Sequence, residues 1–460
     1  MDRFIKKLNE HIFIKNKFKI YNINIQKKKK NTIKIKVICF SLFIFFLSNI
    51  YIFFYPNQIY SAYYLNKLAN TSEIISLNYD KIENDLQNDI SKLNINSKNY
   101  IVYDRLSNST LLGKDINRKV KMASTTKIMT ALVILNSCDL NKIITVSKKA
   151  ANTNGSRLGL NNGDVISVSD LLYGLMLCSG NDAAVALAEH CAGSTNNFSV
   201  MMNDMAKNLN LDNTNFESPH GLDSDNHYTT AYELALLTNY ALKNETFSKI
   251  VGTKTYTVSI NGYSKSISNT NELLGNLNGI YGVKTGFTNG ANRCLVSGCR
   301  RNDMDIITIV LGADTKNNRS KDSIKLIEYS FENFTHINIY DMCTAGLNLW
   351  KQSNSNSNNY FTIEKGKISN IIPILDSIPN NLLSVLKSDI NNIYCNININ
   401  DYLVAPIAKN QIIGKAYIYL CDIPIYSVDI LSDSNIDKKN SLFYIFDFFR
   451  NYTLYLSTIL

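Results

Sequence analysis

The alternation of apolar and polar positions divides the chain into segments of different texture. Residues 37–55, from Val37 to Tyr55, run without a charge. Crossing a hydrocarbon core of ~30 Å takes about 20 apolar residues, so this run predicts a membrane span. From Ile75 the apolar positions are Ile75, Tyr79, Ile82, Leu86, Ile90 and Leu93, in steps of three and four. That spacing predicts a stalk helix over 71–93, inside a connecting segment 56–94, with one apolar stripe to pack on a body. Tyr100–Tyr103 then reads as a strand, and a helix-forming run follows Ser124. Leu171–His190 is helical with a break at Cys178-Ser-Gly-Asn181, and Ala231–Leu242 is a further helix. From Lys254 the texture becomes β-branched, in Thr255–Ile260, Cys294–Gly298 and Asp305–Leu311, with turn signals between. Helices in the middle and strands at both ends predict an α+β body over 95–340, its antiparallel sheet built from distant segments.

The polar stretch Lys351–Asn359 reads as a loop or linker. Beyond it, Phe361–Ile363, Tyr394–Ile399, Ile412–Leu420 and Ile425–Ile430 are short alternating strands, predicting a small all-β domain over 341–437. The last segment, 438–460, gathers Asp447, Arg450, Asn451 and Thr458 on one narrow helical face against Phe, Tyr, Leu and Ile elsewhere. Two charges argue against spanning, and the asymmetry suits a helix lying in the membrane interface.

Charge sharpens this picture. The 460 residues carry a formal +10, and residues 1–36 hold twelve Lys/Arg against two acids, which is the whole surplus. The remaining chain is neutral, a poor basis for nucleic-acid binding. Basic residues before the apolar run keep 1–36 in the cytoplasm and send the rest outside. Tyr60 stands where a cleavage site after Ala62 would need a small residue, which favours a retained anchor over a cleaved signal. The expected location is therefore the cell membrane, with the body on the extracytoplasmic side. Nine cysteines, at 39, 138, 178, 191, 294, 299, 343, 395 and 421, show no C-x-x-C pair. They read as small buried hydrophobes, and no pairing follows from their spacing. The five histidines give no metal pattern, and His220 and His227 read as structural.

Three short motifs carry chemistry jointly. In Ser124-Thr-Thr-Lys127 a hydroxyl and an amine three residues apart share a helix face. Serine is a weak nucleophile that needs a base, and lysine serves as one only when burial or another cation lowers its pKa. A serine at a helix start also has free backbone N–H groups beside it for an oxyanion. Ser179-Gly-Asn181 places a hydroxyl and an amide where an apolar helix breaks. Lys284-Thr285-Gly286 supplies a second cation, a hydroxyl for a carboxylate, and a glycine beside which a substrate backbone can lie. Singly, each motif is equally a helix cap or a turn.

In this order, with Met122-Ala-Ser-Thr-Thr-Lys-Ile-Met-Thr-Ala, Ser218-Pro-His-Gly-Leu-Asp, His227-Tyr-Thr-Thr-Ala and Gly282-Val-Lys-Thr-Gly-Phe-Thr around them, they resemble the low-molecular-mass penicillin-binding proteins called D-alanyl-D-alanine carboxypeptidases, peptidase family S11. The resemblance spans about Ile95–Phe334 and, more loosely, the β domain through Leu403-Val-Ala-Pro-Ile-Ala. It implies a β-lactamase/transpeptidase-like catalytic domain that removes the terminal D-Ala from peptidoglycan stem peptides ending in D-Ala-D-Ala. It also implies covalent inhibition by β-lactams and no cofactor or metal. Carried across, Ser124 is the acylated nucleophile, Lys127 its base, and Ser179 the proton shuttle. Asn181 positions the peptide, while Lys284, Thr285 and Gly286 receive the substrate carboxylate and backbone. The N–H groups of Ser124 and Phe287 form the oxyanion hole. Phe287 departs from the His common in the family, which implies altered specificity. Arg319 is a further candidate for the carboxylate. The alternatives are a catalytically inactive wall-binding or scaffold protein and a β-lactamase-like hydrolase. The latter needs a Glu-activated water, for which Glu272-Leu-Leu-Gly-Asn276 is the one near match.

Overall fold

The computed structural model describes residues 92–354, 362–367, 371–378, 380–400 and 402–440, which, 421–423 apart, belong to one unit of the chain. The basic tail 1–36, the apolar run 37–55, nearly all of the stalk helix 71–93, and 441–460 lie outside the described residues. Among those described, no helix is long and apolar enough to cross a membrane.

A five-stranded antiparallel sheet organises the larger part. Its order is Ser109–Lys114, Asn99–Asp104, Met304–Ala313, Asn292–Arg301 and Ile280–Thr288. Sequence-distant strands meet, as the α+β reading expects. Met304–Ala313, in the middle, is apolar and almost wholly buried, which fits a strand covered on both faces. Ile280–Thr288 lies at one edge.

Against the sheet stands a helical layer. Lys127–Ser137 is buried at every residue from Lys127 to Ile134, the signature of a helix surrounded by protein. The predicted break at 178–181 separates the helices Val168–Met176 and Asn181–Ala192. The latter ends at Gly193, whose φ of 73° is the left-handed C-cap that glycine adopts without strain. The predicted strand near 255 does not join the main sheet. Thr255–Ile260 pairs with Tyr263–Ser268 in a separate hairpin. Asn261 and Gly262, at φ 54° and 82°, make its two-residue turn, the Asn-Gly signal for a tight hairpin. This hairpin is held to the helical layer by Tyr256, which stacks on Tyr173 at 3.5 Å and donates to Asp170.

The smaller part is a four-stranded sheet, ordered Pro373–Leu375, Ile423–Ser432, Ile412–Leu420 and Ile393–Ile399. A helix, Ile339–Ser353, packs on it through Ile339, Cys343 and Leu347. That helix runs on into Lys351–Ser353, the start of the stretch expected to be a linker. The apolar steps Ile339, Cys343, Leu347, Trp350 outweigh the local polarity there.

Between the two parts, Phe334–Asn338 pairs with Leu382–Leu386. His336 on this ribbon reaches Asp104 of the main sheet, Nε2 to Oδ2 at 2.5 Å. Ser384 donates to the same oxygen, and the backbone N–H of Leu106 donates to Oδ1. Asp104 is fully buried. Burial alone would raise its pKa, but the hydrogen bond and charge of His336 hold it below the usual 3.8. The same bond, aided by Asp303, holds His336 above the usual 6.5. A histidine raised in the folded state lends stability that is complete below its unfolded pKa and lost as pH climbs through the folded one. The melting temperature of the wild type should therefore exceed that of His336→Gln by roughly 5 °C near pH 6. The gap should narrow as pH rises through the raised His336 pKa, read by thermal unfolding of both proteins from pH 6 upward.

Candidate active site

Local backbone geometry brings the three motifs together. Ser124 lies in a 3-10 turn, Ala123–Thr126, directly ahead of the buried helix Lys127–Ser137. Ala123 takes φ 49°, a conformation that costs a residue with a Cβ on the order of 1 kcal/mol or more. The surroundings enforce it. Thr125 Oγ1 donates to Met122 O at 2.7 Å and Thr126 Oγ1 to Ala123 O at 2.8 Å. His227 Nδ1 accepts from the Glu217 N–H, so the proton sits on Nε2, which donates to Thr126 Oγ1 at 2.7 Å. Burial pushes His227 down to about 4, keeping it in that neutral form. Gly221, at φ 85°, packs so closely on the Ala123 carbonyl that a Cβ would lie 2.0 Å from its oxygen. His227 thus supports the nucleophile turn, in line with its structural reading.

Lys127 is fully buried. Its Nζ is 2.9 Å from Ser124 Oγ, 2.8 Å from Asn181 Oδ1 and 2.8 Å from the His220 carbonyl. Asn181 Nδ2 donates to the Asn154 carbonyl at 2.6 Å, which fixes the amide with its oxygen toward the lysine. Burial is the largest influence on Lys127 and lowers its pKa well below 10.5. The Lys284 ammonium adds to this, while Asp182 and Cys178 oppose. Asp182 is a weak counter-ion because its carboxylate is already engaged. It accepts from the N–H groups of Leu158, Gly159, Leu160 and Ala183. A neutral amine has two N–H donors and one lone pair. Two of its three neighbours are carbonyl oxygens that only accept. Charged, the amine donates to Ser124 Oγ as well; in its neutral form the two carbonyl oxygens would take its N–H groups and the lone pair would face the Ser124 hydroxyl.

On the opposite wall, Lys284, Thr285 and Gly286 belong to the edge strand Ile280–Thr288. Lys284 is 1% exposed and donates to the Thr285 carbonyl. Burial lowers it to about 7, with Cys178 opposing and Arg319 assisting. Thr285 Oγ1 is 2.7 Å from Thr270 Oγ1. At Gly286 a Cβ would stand 3.1 Å from the Ser124 nitrogen, so the strand and the nucleophile turn are in contact there. Ser179, at φ 60°, is buried with a hydroxyl that makes no hydrogen bond to a protein group among the described residues. Phe287 is exposed, its ring covered by Arg293 at 3.6 Å.

Two further residues named above pair with each other. Arg319, a carboxylate candidate, is buried with Nη2 on both oxygens of Glu272, at 2.6 and 2.8 Å. Glu272, the near match to a water-activating glutamate, also accepts from Ser320. It is thereby committed to an ion pair. The loop Ser218–Gly221, quoted above only for its resemblance, also carries a role that spacing did not suggest. Its Pro219 and His220 carbonyls accept from Thr130 and Lys127. Among the described residues, no group of three or more His, Cys, Asp or Glu is placed to hold a metal.

Fold and site together define a peptide hydrolase with a Ser-x-x-Lys centre beside the edge strand of the described sheet. The model of the D-alanyl-D-alanine carboxypeptidase family, peptidase S11, matches residues 86–315, and that of the penicillin-binding protein 5 C-terminal domain matches 359–438. D-alanyl-D-alanine carboxypeptidase DacF of Bacillus subtilis (strain 168) is 33% identical over 331 residues, 70% of this chain and 82% of its own. DacC of Escherichia coli (strain K12) is 31% identical over 381 residues, 77% and 88% of the two chains. Among solved structures, the D-alanyl-D-alanine carboxypeptidase DacD from Francisella tularensis superposes with a TM-score of 0.63 at 26% identity, covering 75% of this chain and 94% of that one. The Streptomyces K15 DD-transpeptidase does so at 0.50 and 34% identity, covering 52% and 98%. The chain belongs to the D-alanyl-D-alanine carboxypeptidase family, peptidase S11.

Coupling between the two amines makes the site's pH response testable. Catalysis by a neutral Lys127 rises with pH through the Lys127 pKa, and the Lys284 charge depresses that pKa. Replacing Lys284 by Gln should therefore move the acid limb of the penicillin acylation rate to higher pH. It should also remove a fall on the alkaline side that, in the wild type, begins near 7, where Lys284 loses its charge. Stopped-flow acylation across pH 5–10 reads both changes.

Proposed function

We propose that this protein is a serine-type D-Ala-D-Ala carboxypeptidase, anchored in the cell membrane with its catalytic domain on the extracytoplasmic face. The observation that carries the reading is the three-way contact of Lys127, which in the neutral form leaves its lone pair to Ser124. Ser124 Oγ attacks the carbonyl of the penultimate D-Ala while Lys127 Nζ takes its proton. The oxyanion forms against the N–H groups of Ser124 and Phe287. The terminal carboxylate is received by Lys284 and Thr285, and the peptide adds along the Ile280–Thr288 edge. The proton passes through Ser179 Oγ to the amine of the leaving D-Ala. That role gives the unpartnered hydroxyl its partner. Water then attacks the acyl-enzyme, freeing the shortened stem peptide and Ser124.

A β-lactam presents the same reacting carbonyl and carboxylate, so it acylates Ser124. A second reading, transfer of the acyl group to an amine, draws support from the similarity to the Streptomyces K15 DD-transpeptidase. It differs only in the acceptor.

In this reading Ser124→Ala abolishes covalent labelling by a fluorescent penicillin, and Lys127→Ala slows acylation at least 10²-fold. The full chain, incubated with a D-Ala-D-Ala-ended stem peptide, releases free D-alanine measurable by mass spectrometry. Supplying glycine as a competing amine separates hydrolysis from transfer. Wild-type acylation by the Lys127 variant would remove the lysine from the mechanism. Intact peptide beside normal labelling would favour the inactive, wall-binding alternative.

A further inference from the structure

The described cysteines are present as thiols, and four of them lie in contact as two pairs. The first pair is Cys138 and Cys191, whose side chains neighbour each other and pack against the same core. Cys138 caps the C-terminal end of the helix Lys127–Ser137, and Cys191 is in the last turn of Asn181–Ala192. These are the helices whose opposite ends hold Lys127 and Asn181. Cys138 follows Lys127 by eleven residues and Cys191 follows Asn181 by ten. At 1.5 Å per residue, each thiol stands about 15 Å from its site residue. Two helices that meet at Nζ–Oδ1 therefore meet again at sulfur.

The second pair, Cys343 and Cys395, joins the helix Ile339–Ser353 to the strand Ile393–Ile399 in the smaller domain. Their side chains are also neighbours, both packed in the core of that domain. The Cys395 side chain occupies the space above Gly346, where a Cβ would lie 2.9 Å from its sulfur. Gly346 is one turn beyond Cys343, so the helix surface is recessed where the strand cysteine enters. Both pairs link residues more than fifty apart in the chain, which no spacing rule could join.

We propose that Cys138–Cys191 and Cys343–Cys395 are disulfide sites, one stapling each domain. Each bridge forms by two exchanges with a disulfide oxidant, a small-molecule disulfide or an exchange protein. One cysteine thiolate attacks the oxidant's S–S bond, forming a mixed disulfide and releasing one thiol. The partner cysteine then displaces the oxidant's other sulfur. The cysteine pair gives up two electrons and two protons, which leave on the two oxidant thiols. Burial, together with the neighbouring thiol, pushes Cys138 up to about 12, so exchange in the folded protein is slow and closure belongs to folding. Each bridge closes a loop of about 50 residues, long enough for the unfolded chain to lose substantial freedom. The Cys138–Cys191 bridge also ties the far ends of the helices that position the base.

The test uses the full chain, refolded in oxidised/reduced glutathione, blocked with N-ethylmaleimide and digested without reduction. Mass spectrometry should find the 138–191 and 343–395 linked peptides, with Cys178, Cys294 and Cys299 alkylated. Reduction should lower the wild-type melting temperature by roughly 5–10 °C. That response should be reduced in each of Cys138→Ala/Cys191→Ala and Cys343→Ala/Cys395→Ala, made separately so that one poorly folding variant does not decide the matter. Alkylation of all four cysteines in fully oxidised buffer, or linkage to other partners, overturns the proposal. Peptide mapping needs no turnover, so its result stands apart from whether Ser124 is acylated.

Discussion

A lysine amine buried out of reach of bulk solvent governs this structure. Burying an isolated ammonium costs several kcal/mol even after relaxation, whereas a neutral amine costs only its unmade hydrogen bonds. Lys127 has those bonds, to Asn181 and to the His220 carbonyl. The carboxylate that acts on it, Asp182, opposes the lowering. It is itself engaged by four backbone N–H groups, three of them from the Leu158–Leu160 loop. One acid thus builds the loop beside the site, and its opposition to burial at Lys127 does not reverse the lowering. Lys284 adds to burial from the edge strand, lowering the same amine. The lowered pKa of Lys127 is therefore set by elements beyond the Ser-x-x-Lys turn.

Holding that amine against a hydroxyl requires backbone that an unsupported chain would not adopt. Ala123 and Ser179 both occupy the left-handed region, one beside the nucleophile and one within the second motif. Each costs on the order of 1–3 kcal/mol, persisting because the surroundings determine it several times over. Around Ala123 the restraints are two threonine hydroxyls, a neutral histidine and the close approach of Gly221. Behind them stand the fully buried turns of Lys127–Ser137 and Asn181–Ala192, whose apolar contacts exceed the strain many times.

What the sequence made legible follows from the same physics. The three motifs were readable because each packs its chemistry into three or four adjacent positions, and the helix break at 178–181 because an apolar run is interrupted by Ser-Gly-Asn. The sheet order was not, since pairing Asn99–Asp104 with Met304–Ala313 joins segments about two hundred residues apart. Nor was the separation of the 255–268 hairpin, although its Asn261-Gly262 turn was a local signal for it. Pro219 and His220 act through backbone carbonyls, which leave no mark in residue type. The helix over Lys351–Ser353 was obscured by polar composition, though the preceding apolar steps carry it.

Glu272 bears on why the site should suit a carboxypeptidase better than a β-lactam hydrolase. Rapid hydrolysis of a penicilloyl ester needs a second base to activate water on a face the first cannot reach. The one glutamate with a related sequence context is tied to Arg319 and Ser320, and that pairing holds its carboxyl below the usual 4.5 against the effect of burial. A carboxylate so stabilised in its charged form is a poor acceptor of a proton from water. In the proposed mechanism deacylation then falls to Lys127, neutral again once its proton has left with the departing amine. After a peptide is cleaved, the leaving D-Ala diffuses away and water can take its place beside that amine. After a β-lactam ring opens, the leaving nitrogen stays tethered to the acyl group and keeps the position water would need. On that mechanism the base that serves one ester is shielded from the other, and slow release of penicillin would follow from how Glu272 is paired.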